Sequence, residues 1–380
     1  MPQQSYSVKL PFSFKHSVLA AGSETNTTFS LLKKDAVFVS SPYKDLKAPL
    51  TLDSFKKDIA CKEALLRIKP DIIACDLHPE YMSAKYAKTL STRALIEVQH
   101  HHAHIASCMA ESGLKGKVIG IALDGMGYGP DGTIWGGEFL VGGYHSYRRA
   151  AHIAYAAMPG GDKAVLEPIR MAFSYLYKTY KGTTAKVRTG VLLRLGKEKK
   201  AIFKNMIDKK INSPLTSSAG RLFDAVASLV GVRDRISFEG EAAMALETIA
   251  RGSDCSTFYG FTLKKKSGVI SIEFYSMIRE IISELTKREP LALMARKFHN
   301  TLAEAVKRVC MALRREYGLN RVVLSGGVFQ NNILLSGSLE RLALAGFSVY
   351  SHRDISASDR GVSLGQAVIA ASKTEKKKCA

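Results

Sequence analysis

Apolar and polar positions along this chain alternate between short dense runs and helical stripes. SVLAAG, from Ser17, is an apolar run closed by the turn-forming SETNTT, and FSLLKKDAVFVSS reads as a hairpin around Lys33, Lys34 and Asp35. Apolar residues three and four apart predict a helix over Leu52–Ile68. DIIACD (Asp71–Asp76) has the length of a buried strand, and Tyr81–Thr92 has helical spacing. The strand ALIEVQ (Ala94–Gln99) runs straight into HHHAHIASCMAESG, a helix that Gly113 should end.

Near Leu114 the scheme restarts. KVIGIALDG (Lys117–Gly125) reads as a strand entering a glycine-rich turn, and TIWGGEFLVGGY as its hairpin partner. Ala164–Ala250 is mainly helical, Pro290–Tyr317 is a helix, and the end is an αβ series. That series is strand Arg321–Gly327, helix Asn332–Ala345, strand Phe347–Ser351 and helix Gly361–Lys373. The two halves share a plan more than a sequence: strand, small-residue turn, hairpin partner (around Phe29–Leu31 and Phe139–Leu140), then αβ units. The expectation is an α/β chain of two lobes. Residues 1–113 form the first, with a C-terminal helix (about 355–380) packed back on it. Residues 114–354 form the second, with a helical insertion over about 164–250.

Charge changes this picture more than composition does. An apolar content of 46% is ordinary, and no apolar run approaches the roughly 20 residues a membrane span needs. The start of the chain lacks the pattern of a signal peptide. The six cysteines are scattered without a C-x-x-C pair, which argues against a zinc ribbon and suits a reducing, cytoplasmic setting. Lys and Arg number 55 against 34 acidic residues, a net +21 that predicts attraction to nucleotides, an acidic partner or nucleic acid. Much of that charge lies in Lys186–Lys210 and Lys373–Lys378, which equally suit solvated helix and tail faces.

Histidines carry the clearest chemistry. His100 and His104, four apart at a helix start, fall on one face as two ligands of one ion require; the alternative is a histidine-rich cap without an ion. A carboxylate would complete such a set, and Asp124 and Asp359 both sit at expected strand-end turns. Imidazole with carboxylate suits iron or zinc. Gly125, Gly127 and Gly129 follow a buried strand, so their amides can approach an anion, or they form a plain hairpin turn. The spacing matches neither a dinucleotide fingerprint nor a P-loop.

SGGVFQNN, with Ser325, Gly326, Gly327 and Asn331, ends a strand and opens a helix, where a nucleoside can lie against backbone; a tight βα turn would look the same. Asp224, in the capped helix TSSAGRLFDAVASLVG, is placed to bind ribose hydroxyls or to face solvent. Lys163, in PGGDKAVLEP, can neutralise a phosphate or carbamoyl oxygen, although a surface Asp–Lys pair is common. His78, before the structure-breaking Pro79, can reach the cleft or serve as a packing residue.

In this order the motifs DLHPEYMSAKYA, VQHHHAHIASCMAE, LDGMGYGPDGTIWGGEFLV, MPGGDKAVLEP, LTSSAGRLFDAVASLVG, FEGEAAMALE and LSGGVFQNNILL resemble the C-terminal module of HypF-type carbamoyltransferases. The related antibiotic O-carbamoyltransferases share the resemblance, and the tRNA-modifying TsaD family does so more distantly. The resemblance runs from Val18 to about Ala370. It implies the duplicated two-lobe ASKHA (actin-like, sugar-kinase-like) fold, with His100, His104, Asp124 and Asp359 as ligands of one metal, iron by the family pattern. It further implies that Ser325–Gly327, Gly220 and Asp224 hold adenosine, with Glu241 near the ribose. The implied reaction is attack by an acceptor on carbamoyl adenylate, with AMP leaving. In HypF-type proteins the acceptor is the C-terminal cysteine of HypE, on the way to the cyanide ligands of [NiFe] hydrogenase.

This sequence departs from the family at three points, one of them Thr25 in GSETNTTF, where lysine is usual. Only the last module of a HypF-type chain is represented in this sequence, so a separate YrdC-like protein is expected to supply carbamoyl adenylate, unless the chain is a fragment of a longer one. ASDRG stands where N-D-G-G is usual, setting Arg360 beside Asp359. Three other readings stay open: carbamoylation of a small molecule, TsaD-like transfer to tRNA (possible given +21, though disfavoured by the motifs), and a nucleotide-binding subunit without activity.

Overall fold

Val18–Ala20, the apolar run opening the first lobe, is the hub of a six-stranded sheet in the computed structural model, which describes residues 5–184 and 187–375. Lys186 and the basic tail beyond Glu375 lie outside the described residues. Val18–Ala20 pairs antiparallel with Ser30–Lys33, which pairs antiparallel with Ala36–Val39. On its other side it runs parallel to Ile72–Asp76, and that strand runs parallel to Ala94–Val98. Tyr6–Lys9 adds an edge.

The second sheet repeats this order. Val118–Tyr128 is antiparallel to Ile134–Gly142 and parallel to Arg321–Ser325, which is parallel to Ser348–Ser351. Tyr147–Ile153 extends the antiparallel side. Hairpin strands followed by parallel αβ units, twice over, are the duplicated ASKHA arrangement, and the parallel units place strand C-termini at the cleft, where such folds bind ligands.

Helices cover the sheets where their apolar stripes dictate. His100–Glu111 is buried along nearly its whole length, wedged between the two lobes. Val362–Thr374 packs in one apolar cluster with Val18, Leu32, Ile72 and Val98 of the first sheet. Those two helices cross at Gly365, where a Cβ would stand 1.8 Å from the Ala103 carbonyl oxygen. The insertion is interrupted, with helices at Pro168–Thr179, Gly190–Asp208, Ala219–Leu229 and Glu241–Ala250; the second is kinked at Gly196. A hairpin (Thr262–Lys266 and Val269–Glu273) and a helix (Tyr275–Lys287) follow, in a stretch for which no element was expected.

One element differs from its reading in a way that matters. The glycine-rich stretch after Leu123 is strand to Tyr128, and the hairpin turn comes later, closed by Asp131 accepting the Thr133 N–H. Leu123 pairs with Gly137 and Gly127 with Trp135, so Asp124, Gly125 and Met126 stand opposite Gly136 alone. This is a bulge, and bulges re-aim side chains.

Candidate functional site

Asp76 ends its strand buried beneath the first turn of the histidine helix. One oxygen accepts from His100 Nδ1 at 2.8 Å, and the other accepts the His78 backbone N–H at 2.9 Å. An ionised carboxylate only accepts, so His100 Nδ1 bears a proton, and when the ring is neutral Nε2 presents the lone pair. Gln99 caps the helix: its oxygen accepts the His102 N–H at 2.9 Å, while its amide group donates to Tyr128 O at 3.2 Å and to His101 Nδ1 at 3.0 Å. One turn on, His104 Nε2 lies 3.2 Å from His100 Nε2.

The bulge turns Asp124 toward these two nitrogens. Its Oδ2 is 3.4 Å from His100 Nε2 and 3.6 Å from His104 Nε2, and its Oδ1 accepts the Gly327 N–H at 2.9 Å. Asp359 Oδ1 closes the group at 3.5 and 3.7 Å from the same nitrogens. One donor atom from each of the four lies within 4.8 Å of the others.

Ligands held about 2.1 Å from one ion sit roughly 3.0–3.4 Å apart; the separations from the histidine nitrogens here, 3.2 to 3.7 Å, are slightly wider, so a small contraction would let this N₂O₂ set hold a transition metal. The electrostatics agree. Burial works against the His100 charge, yet Asp359 and Asp76 outweigh it and hold the imidazole well above its usual range. His104 is likewise raised: burial opposes, and hydrogen bonds to Asp124 and Asp359 prevail. Burial would raise Asp124, but both histidines pull it well below the usual carboxylate range, and Asp359 is lowered by His100 in the same way. Buried carboxylates this close together call for positive charge, which protons or a cation can supply.

The glycines prove to be contact points. A Cβ at Gly127 would stand 2.5 Å from His101 Cε1 and 3.1 Å from His100 Cδ2, so this glycine lets the histidine helix lie on the strand. A Cβ at Gly220 would be 3.0 Å from Gly125 Cα, and Ser218, which caps the helix Ala219–Leu229, donates to the Asp124 and Gly125 carbonyls at 3.0 and 2.5 Å. Gly326 has φ +97° and its N–H bonds to Ala357 O at 3.1 Å, which joins the Ser325–Gly327 turn to the loop before Asp359. This turn, the bulge and the start of the helix at Ala219 therefore form one continuous wall beside the four-residue cluster.

Other candidates land differently. Asp224 does not face solvent: it is buried, bonded to the equally buried Arg221 at 2.6 Å, and burial outweighs that partner to push its carboxyl up to about 6. Ser325 turns inward, its hydroxyl 2.9 Å from His352 Nε2. Asn331 caps the helix Asn332–Leu344, accepting the Leu334 N–H at 2.9 Å, and is backed by His299 at 2.9 Å. Glu241 pairs with Arg233 and accepts the Ser237 N–H. Its neighbour Glu239 is the carboxylate that approaches Gly125, and it also takes Arg221 at 3.2 Å. Lys163 is exposed at the start of the short helix Lys163–Leu166, near Gly160.

His78 is half-buried and stacks on Tyr81 with ring centroids 4.2 Å apart. Its Nδ1 accepts the Glu80 N–H at 3.2 Å, which leaves Nε2 as the donor, and burial lowers its pKa. Asp76, Gln99, Arg221, Glu239 and Tyr81 were not singled out from sequence. Asp76 had one usable signal, a carboxylate closing a buried strand, as Asp124 nearly does.

Residues 13–111 match the family described as HypF Kae1-like domain, and residues 120–366 the carbamoyltransferase Kae1-like domain, second subdomain. The chain is 34% identical over 376 residues to carbamoyltransferase HypF of Synechocystis, covering 94% of itself and 48% of that protein. It is 34% identical to a carbamoyltransferase HypF homolog of Cupriavidus necator, covering 95% of itself and 93% of that one. A crystal structure of full-length HypF in a phosphate- and nucleotide-bound form superposes with a TM-score of 0.92 at 39% identity, over 99% of this chain and 58% of that one. The chain thus spans about half the length of several curated relatives and nearly the whole of another.

Proposed function

This chain belongs to the HypF carbamoyltransferase family, and from that premise we propose that it transfers a carbamoyl group from carbamoyl adenylate to a protein thiol. The acceptor in this reading is the C-terminal cysteine of a HypE-like protein in [NiFe] hydrogenase maturation, and a separate YrdC-like protein supplies the adenylate. The observation that carries it is the bond from Gly327 N–H to Asp124, which joins the Ser325–Gly327 turn directly to the four-residue His/Asp cluster.

His100, His104, Asp124 and Asp359 would hold the metal, and Asp76 would fix the tautomer that frees His100 Nε2. Bound iron or zinc would supply positive charge against the phosphate oxygens of the adenylate. The acceptor sulfur forms a bond to the carbamoyl carbon, the bond from that carbon to the phosphate oxygen breaks, and AMP leaves with the electron pair. His78 Nε2–H is a donor suited to the carbamoyl oxygen, where charge builds in the transition state. The buried Arg221–Asp224 pair, with Glu239, would brace the ribose side of the pocket. Lys163, exposed at the helix start beside the Gly160–Gly161 turn, would meet a phosphate oxygen from the rim.

Among the described residues no helix is long and apolar enough to cross a membrane, and the five described cysteines are free, which suits work in a reducing cytoplasm. The test is AMP release from carbamoyl adenylate, made in place by a YrdC-like partner from ATP and carbamoyl phosphate. Release that needs metal, rises with a cysteine-ended HypE-type tail and is lost in His104→Ala is the expected result. Metal-dependent release indifferent to the tail would move the acceptor to a small molecule or tRNA. Nucleotide binding without release would leave a binding subunit.

A further inference from the structure

The helix His100–Glu111 carries two of the four cluster residues in its first turns and a carboxylate at its other end. Glu111 is largely buried and fully engaged. One oxygen accepts three successive backbone N–H groups, from Arg353 at 3.0 Å, Asp354 at 2.6 Å and Ile355 at 3.1 Å. The other accepts from His352 Nδ1 at 2.9 Å, and His352 Nε2 meets the Ser325 hydroxyl at 2.9 Å. Because a carboxylate cannot donate, His352 carries its proton on Nδ1, and Ser325 must donate to Nε2. Every hydrogen-bonding direction in this chain is thereby set by one charge.

The loop held this way ends at Asp359. From His104 to Glu111 the helix rises about 10 Å, and the four residues from Ile355 to Asp359 can span at most about 14 Å. The loop therefore runs back along the helix with little slack. It packs closely on the way: a Cβ at Gly361 would stand 3.0 Å from Ser107 Oγ, and Ala357 O receives the Gly326 N–H. Loss of the Glu111 anchor would free both the reach of Asp359 and the seat of the Ser325–Gly327 turn.

We propose that Glu111 is a positioning residue for both halves of the site, anchoring the loop that delivers Asp359 and, through His352, the turn Ser325–Gly327. The proposal rests on the reading of His100, His104, Asp124 and Asp359 as a metal site. It makes metal and nucleotide binding depend on a residue that touches neither.

The test uses the full chain with Co²⁺ as a spectroscopic probe and AMP as the nucleotide. Wild type should show visible Co²⁺ bands that His104→Ala abolishes. Glu111→Ala should bind Co²⁺ tenfold or more weakly, with altered bands because a carboxylate is lost, and should bind AMP more weakly too. Glu111→Gln keeps an oxygen for the three N–H groups and should restore the bands. His352→Ala removes the bridge from Glu111 to Ser325 but keeps the three backbone N–H bonds to Glu111, so it should weaken AMP and leave the Co²⁺ bands unchanged; this variant carries the test if Glu111→Ala does not fold. A lower Tm in Glu111→Ala with unchanged Co²⁺ bands and AMP affinity would overturn the proposal and reduce Glu111 to a structural tie. Unchanged AMP affinity in His352→Ala would overturn its nucleotide half. Absence of Co²⁺ bands in wild type would instead sink the metal reading, and the proposal with it.

Discussion

Asp76 does at the residue scale what the histidine motif cannot do alone. An imidazole can protonate either nitrogen, and only an acceptor behind Nδ1 commits His100 to offering Nε2. Asp76→Asn, with an amide that can donate or accept, should lower metal affinity by about 10- to 100-fold with little change in fold, as read by Co²⁺ titration. Proton linkage gives a second prediction. His100 is held above its usual pKa, so a metal binding at Nε2 competes with a proton held more tightly than on a free imidazole. Apparent metal affinity should then rise with pH, and fall by about tenfold per unit on acidification for each proton released. Calorimetry in buffers of differing ionisation heat would count those protons; affinity flat between pH 5 and 8 would contradict the assignment.

Between elements, the decisive contacts are backbone approaches. Gly365 admits the Ala103 carbonyl at a distance no Cβ allows, and that crossing seats the last helix on the histidine helix. Gly365→Ala should cost about 1–3 kcal/mol or more, since backbone cannot yield as a side chain does, and should weaken metal binding by tilting the histidines. Thermal melts and Co²⁺ titration of the folded protein would check both. The same scale explains what could be read. Strands such as Ile72–Asp76 and helices such as Leu291–Tyr317 were legible because burial imposes their apolar pattern locally. The strand Val118–Tyr128 was legible only to Gly125: glycines that look like turn formers continue the strand because the histidine helix and the turn at Gly220 need the space. The hairpin Thr262–Glu273 was missed because its outer strand is lysine-rich and largely exposed, with no apolar alternation to betray it.

For the whole molecule, the cluster is a junction. His100 and His104 lie on the helix between the lobes, Asp124 on the second sheet, and Asp359 on the loop leading to a helix packed on the first. A metal bound there would tie these units together, so chelation should lower stability by about 2.7 kcal/mol at a metal concentration a hundredfold above Kd. A scan with and without chelator should show the melting temperature falling by a few degrees, and no shift in His104→Ala. The net charge of +21 belongs to this scale as well. It favours anionic nucleotides and acidic partners at a distance, and nothing in the cluster geometry depends on it.

The sequence by itself determined the composition of the site. The i, i+4 histidines share a helix face by the helical repeat, the carboxylates follow strand-like runs, and the duplicated hairpin-plus-αβ order sets the topology. These are local consequences of periodicity and residue chemistry. Tertiary structure alone decided which way those groups point. The bulge aims Asp124, Asp76 from a neighbouring strand selects the His100 tautomer, and Arg221 claims Asp224. Asn331 caps its helix and Glu241 accepts the Ser237 N–H, while Glu239, two residues from Glu241, reaches the glycine wall. Each of these depends on groups distant in sequence meeting at hydrogen-bond range, and such meetings are fixed by packing, which no local pattern encodes.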